Sequence, residues 1–187
     1  MKKNILFIGG SSGIGLETIK LLHEKHNLIV ACRTDENLGG LNIKYLNFDV
    51  LKDELDLEQI PEILDGFVYF PGSINLRPFR GLKLDTFEED LNINFLCMVK
   101  TLQKVLNNLK QSNSSSVVLY STVAVKVGMP FHTSVSASKG AIEGFAKSLA
   151  AELAPNIRVN VIAPSLTDTP LASRFLNNDL KKEKVGE

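Results

Sequence analysis

The chain has no tryptophan, two cysteines and no excess of charge of either sign, lysine plus arginine equalling aspartate plus glutamate. The charge balance means that no overall basic field draws the protein to nucleic acid or to an anionic membrane surface. Cys32 and Cys97 lie far apart, form no CxxC and have no histidine at ligand spacing. They read as buried thiols of a cytoplasmic protein in a reducing compartment, with no structural metal. No apolar run approaches the length of a membrane span, and the run at 5–8 behind two lysines is too short for a signal-peptide core. Internal repeats and low-complexity linkers are missing too. What remains is an ordinary globular composition, and 187 residues predict one domain with a sizeable core.

What is present is organised around residues 4–15, NILFIGGSSGIG. Residues 5–8 are a continuous apolar run, as a strand buried on both faces would be. Gly9, Gly13 and Gly15 follow, with Ser11, Ser12 and Ile14 among them, and then a helical pattern over 16–26 with Leu16, Ile19 and Leu22 on one side. Strand, glycine turn and helix is the context of a phosphate-binding loop. The glycines let the backbone turn tightly and approach a ligand, and the helix N-terminus points its N–H groups at an anion.

Downstream, apolar strands alternate with helical patterns. Strands are predicted at 28–32, 44–50, 65–70, 117–120 and 157–163, with a short helix or irregular turn over 52–64 and a polar loop over 112–116. One helix is predicted from Asp85, as N-cap with Glu88 as its capping-box partner, to about Lys110. Its face is drawn by Leu91, Phe95, Met98, Leu102, Val105 and Leu109. A second long helix runs from Thr133 or Ser134 to about Leu153, with Ile142, Phe145 and Leu149 on its apolar side. The tail from Ser173 reads as a solvated helix or a frayed end. This alternation predicts an α/β fold, a doubly wound parallel sheet in the order 3-2-1-4-5-6 with helices on both faces. Ligands of such sheets lie at the carboxyl ends of the strands, where Gly9, Arg33, Asp49, Gly72, Ser121 and Pro164 fall.

On these motifs, in this order, the chain resembles the short-chain dehydrogenase/reductase family from the first strand to about Thr169. The resemblance implies a Rossmann-type NAD(P)-binding domain over 1–170. Residues 171–187 are then a polar tail or a truncated form of the family's substrate-covering segment. Gly9, Gly13 and Gly15 match the glycine motif, although Ile8 stands where the family has Thr. Asp49 matches the acid that contacts adenine, and Asn94 the helix Asn that supports the active-site lysine through water. The Asn-Asn-Ala-Gly stretch appears as Tyr69, Phe70, Pro71 and Gly72, and PSLTDT, Pro164 to Thr169, matches the segment that meets the nicotinamide carboxamide, with Ser165 in place of Gly.

The family's Tyr-x-x-x-Lys is Val135 to Lys139, VSASK. The lysine, which binds the nicotinamide ribose, is present, and the proton-exchanging tyrosine is Val135. The family's catalytic serine, thirteen residues earlier, falls on Thr122, beside Ser121. The resemblance thus implies Thr122, Lys139 and Asn94 as catalytic residues, and a small carbonyl or alcohol as substrate. A positioned general acid is worth about 10²–10⁴ in rate, so an alternative donor matters. His132 lies three residues before Val135 and reaches toward the Lys139 face, while Ser136 and Ser138 point away from it. Tyr120 reads as core. Arg33, with no acid on the last residues of its strand, argues for NADP(H), and Asp35 just beyond leaves NAD(H) as the alternative. Self-association as a homo-dimer or homo-tetramer through the two long helices is also implied. Two functional readings stand: an NADP(H)-dependent oxidoreductase with an atypical site, and a nucleotide-binding pseudoenzyme acting as a sensor or partner protein.

Overall fold

Strand β1, Asn4–Ile8, lies between β2 (Asn27–Cys32) and β4 (Gly66–Tyr69) and runs parallel to both. The computed structural model describes residues 1–173, so the predicted tail from Ser173 onward lies outside the described residues save for its first position. With β3 (Ile43–Asn47), β5 (Ser115–Tyr120) and β6 (Ile157–Ile162), the described residues form a six-stranded parallel sheet in the order β3-β2-β1-β4-β5-β6. This is the doubly wound order read from the sequence.

Successive residues of β1 go to opposite faces. Leu6 and Ile8 join the core shared with α3 (Cys97–Lys110) and α5 (Thr133–Leu153), whereas Phe7 packs with Leu16 and Ile19 of α1 (Gly13–Leu22). Burial on both sides is why the strand has no polar alternation. From β1 the chain moves one way to β2 and β3, and from β4 the other way to β5 and β6. Right-handed crossovers therefore put α1 on one face and α3 and α5 on the other. At the β1–β4 boundary the connections part, which opens a crevice at the carboxyl ends. No helix among the described residues is long and apolar enough to cross a membrane.

Several boundaries move. Helix α1 starts at Gly13 and stops at Leu22, because the last glycines of the turn already carry the helix and 23–26 form a turn that returns to β2. Strand β3 pairs only with β2 and stops with it, at Asn47 opposite Cys32, short of the predicted Val50. Ser115 and Ser116, predicted as loop, begin β5 because Ile157 and Gly66 pair with them from either side. In the acidic stretch over 52–64 a 3₁₀ turn, Leu57–Gln59, is capped by Asp56.

The largest correction concerns the predicted helix over 85–110. It is α2 (Leu84–Leu91), then a π-helical turn (Asn92–Leu96), then α3. Lys83 occupies the N-cap and Asp85 falls inside the first turn, so the predicted capping box does not form. A π turn takes more residues per turn and shifts the buried face along the helix. Leu91, predicted inside, is 37% exposed, while Asp90 and Asn94 are fully buried. Beyond the turn Met98, Leu102, Val105 and Leu109 are buried as their spacing predicts.

Candidate functional site

The crevice is a cavity of about 410 Å³ reached from the ends of β1, β2, β4, β5 and β6. One wall is the glycine turn, with Gly9, Ser11, Ser12, Gly13, Ile14 and Gly15 all lining it. A Cβ on Gly15 would stand 2.7 Å from the Gly10 Cα, so turn and helix touch through their glycines. The first turn of α1 carries no acidic side chain, which leaves its N-terminus receptive to an anion.

Next along this wall come Arg33, exposed just past β2, and Asp49, two residues past β3. Asp35 is not part of the lining. Asp49 is engaged locally: its Oδ1 accepts from the Leu51 N–H at 3.1 Å and its Oδ2 lies 3.7 Å from Lys52 Nζ. Opposite the glycine turn, the loop after β6 closes the cavity. Pro164 accepts from the Val123 N–H at 3.2 Å, and Thr169 packs its methyl side against Gly13.

The far wall holds Gly72, Asn94, Thr122, Val135 and Lys139. Helix α5 places Val135 and Lys139 one turn apart on the cavity side, and Val135 is 5% exposed. Lys139 Nζ donates to the Tyr120 carbonyl at 2.9 Å. Burial brings its pKa down to about 8, against the upward pull of the Asp90 charge. Thr122 Oγ1 accepts from the Ala124 N–H at 3.3 Å, which leaves its own hydrogen for a bound oxygen. Its neighbour Ser121 instead donates to Glu143 at 2.7 Å. His132 is on the wall with Nδ1 held by the Pro130 carbonyl at 2.7 Å. Ser136 and Ser138 stay off the lining, and Ser138 donates back to the Val135 carbonyl.

Tyr120 is not core. Its ring lies 4.9 Å from that of Phe70, and both line the cavity. Phe70 also stacks on Phe7 at 5.9 Å and touches the Gly15 position. Phe70 of this aromatic floor stands where the resembled family has the second Asn of Asn-Asn-Ala-Gly. The floor went unread because Tyr120, at the end of β5, was expected to point into the sheet packing, whereas it is only half-buried there and lines the cavity. A second group was also missed. The fully buried Asp90 carboxylate accepts from Ser73 Oγ, from Asn75 Nδ2 at 2.7 Å and from Ser134 Oγ. Its signal was a step of four, Asp90, Asn94, Met98, running beside the apolar stripe.

A family model described as short chain dehydrogenase matches residues 3–179. The chain is 29% identical over 196 residues to the 2,5-dichloro-2,5-cyclohexadiene-1,4-diol dehydrogenase of Sphingobium indicum, covering 95% of this chain and 77% of the relative. A short chain dehydrogenase of Shigella flexneri complexed with NADP superposes with a TM-score of 0.86 at 25% identity, over 96% of this chain and 84% of that one. A 4-hydroxyisoleucine dehydrogenase mutant complexed with NADH and succinate gives 0.85 at 26% identity, over 97% and 81%.

Proposed function

The chain belongs to the short chain dehydrogenase family, and on that premise we propose that it binds NADP(H) and transfers hydride between the cofactor and a small carbonyl or alcohol. One observation carries the reading: a single cavity has the glycine turn on one wall and Lys139 on the other. The residues present fit a dinucleotide. The N-terminus of α1, open to anions, and the backbone of Gly9 to Gly15 would hold the pyrophosphate, and Asp49 the adenine end. Lys139, with Asn94 behind it, would hold the nicotinamide ribose, and Pro164 to Thr169 the carboxamide. When bound, the cofactor supplies the hydride chemistry itself.

The chain's own work is binding, orientation and polarisation. Arg33 on the lining, with Asp35 off it, supports a 2′-phosphate over a bare ribose, hence NADP(H) ahead of NAD(H). Thr122 would donate to the substrate oxygen and draw charge toward it. Val135 exchanges no proton, so the step that a phenol would serve there falls to another group, and turnover is slow. That same valine favours the second reading, a dinucleotide-binding pseudoenzyme acting as sensor or partner protein. Leu84 at 70%, Leu91 at 37% and Leu96 at 49% exposure on α2 and the π turn support a homo-dimer or homo-tetramer. The buried free thiols Cys32 and Cys97 support a cytoplasmic setting. Residues 1–170 make the binding domain in this reading.

Titration with NADPH and with NADH, followed by the emission of the reduced nicotinamide, tests the reading, since no tryptophan interferes. Saturable binding, tighter for NADPH and weakened roughly tenfold in Lys139→Ala, is expected. Absence of binding by either removes both the enzyme and the pseudoenzyme. A panel of ketones and alcohols then separates those two.

A further inference from the structure

A carboxylate with no exposed surface is costly unless its oxygens are answered. Asp90 of α2 is answered by three neutral donors from two segments: Ser73 Oγ and Asn75 Nδ2 from the loop after β4, and Ser134 Oγ from the first turn of α5. The charge itself is left to interact at longer range. Ser73 continues the chain of contacts, since its Oγ accepts from Asn94 Nδ2 at 2.9 Å, and the same Nδ2 lies 2.7 Å from the Asp90 carbonyl. Asn94 Oδ1 and Lys139 Nζ both lie beside Gly72, on the side where a Cβ would stand. The path Asp90, Ser73, Asn94, Gly72, Lys139 crosses from the helix interior to the cavity wall.

We propose that Asp90 is a positioning residue of the cavity: its buried carboxylate fastens the loop after β4 to α2 and α5 and serves as the counter-charge of Lys139. The role rests on the reading of the cavity as a dinucleotide site. Of the ionisable groups on the elements packed around Lys139, Tyr120 comes from β5, Lys126 from the short helix α4 (Ala124–Val127), and His132 and Glu143 from α5 and its approach. Glu143 accepts from Ser121 Oγ and Lys126 is exposed; neither is among the charges that act on Lys139. Asp90 is the charge that favours the ammonium against burial. Where the resembled family sets a phenol one turn before the lysine, this chain has an uncharged valine. The valine offers the ammonium no hydrogen-bond partner on that side.

The test is read on the cofactor-free protein, so its failure is distinct from a failure of dinucleotide binding. In protein labelled with ¹³C-lysine, the Lys139 side-chain resonance, assigned by its loss in Lys139→Met, is titrated against pH. Asp90→Asn keeps the shape, because its Oδ1 can accept from Ser73 and Asn75 while its Nδ2 donates to the Ser134 oxygen. The Lys139 midpoint is expected to fall by roughly one unit or more in this variant. Ser134→Ala removes one tie and keeps the charge; it lowers the melting temperature and leaves the midpoint in place. An unchanged midpoint in Asp90→Asn, or an equal fall in Ser134→Ala, overturns the counter-charge role. If Asp90→Asn does not fold, the combined change Asp90→Leu, Ser73→Ala and Ser134→Ala replaces the charge and its hydroxyl donors with apolar groups, which buried polar sites often tolerate. The same fall in midpoint is expected there, and its absence is equally decisive.

Discussion

Asn94 and Lys139 converge on the same side of Gly72: a Cβ on that glycine would lie 2.8 Å from Asn94 Oδ1 and 3.4 Å from Lys139 Nζ. Asn94 has little room to yield, because its Nδ2 is held by Ser73 and by the Asp90 carbonyl. Gly72→Ala is therefore expected to cost about 1–3 kcal/mol of stability and to push Asn94 or Lys139 off position. Melting and NADPH titration check it. A variant with unchanged melting and unchanged affinity contradicts the close approach.

Lys139 makes stability depend on pH in a defined window. Its folded-state pKa of about 8 lies below its ordinary 10.5. Below pH 8 both states carry the proton and the folded protein bears the full cost of burying it, roughly 3 kcal/mol. Between the two values the unfolded chain binds more protons, so this contribution rises with pH and is fully recovered above 10.5. Chemical denaturation of wild type and Lys139→Met, without cofactor, isolates it as a difference. Wild type should gain on the variant as pH rises from 8 toward 10.5; a flat or falling difference contradicts the buried ammonium.

Arg33 is exposed on the cavity lining and has no partner among the ion pairs of the described residues. Arg33→Ala should weaken NADPH binding by about tenfold or more, the scale of a charge-assisted hydrogen bond, and leave NADH nearly as before. Equal losses for both reduced cofactors assign Arg33 to something other than the 2′-phosphate.

Val135 faces the cavity one turn from Lys139. Val135→Tyr should raise reduction of a simple ketone by a factor within about 10²–10⁴, the usual worth of a positioned acid, with cofactor affinity little changed. No gain in a folded, cofactor-binding variant means that the rest of the pocket has also left carbonyl chemistry.

Much of this was legible in the chain itself. The apolar run of β1, the glycines after it and the alternation of strand and helix set the sheet order, because burial on both faces and right-handed crossovers leave few alternatives. The candidate wall residues fell at strand ends for the same reason. Less was legible where one local choice depended on distant partners. Ser115 and Ser116 are strand only because β4 and β6 flank them. The 85–110 segment has two superimposed periodicities, one through Leu91 and one through Asp90 and Asn94, and composition favours the first.

By itself the sequence determined the doubly wound fold and the presence of a glycine turn, a lysine and a hydroxyl at strand and helix ends, since these follow from local pattern and handedness. Only the tertiary structure decided that a π turn puts Asp90 inside and Leu91 outside. It also decided that Tyr120 lines the cavity and gives its carbonyl to Lys139. The physical reason is that a buried carboxylate needs donors from several segments, and which segments converge is settled by packing, not by spacing along one helix.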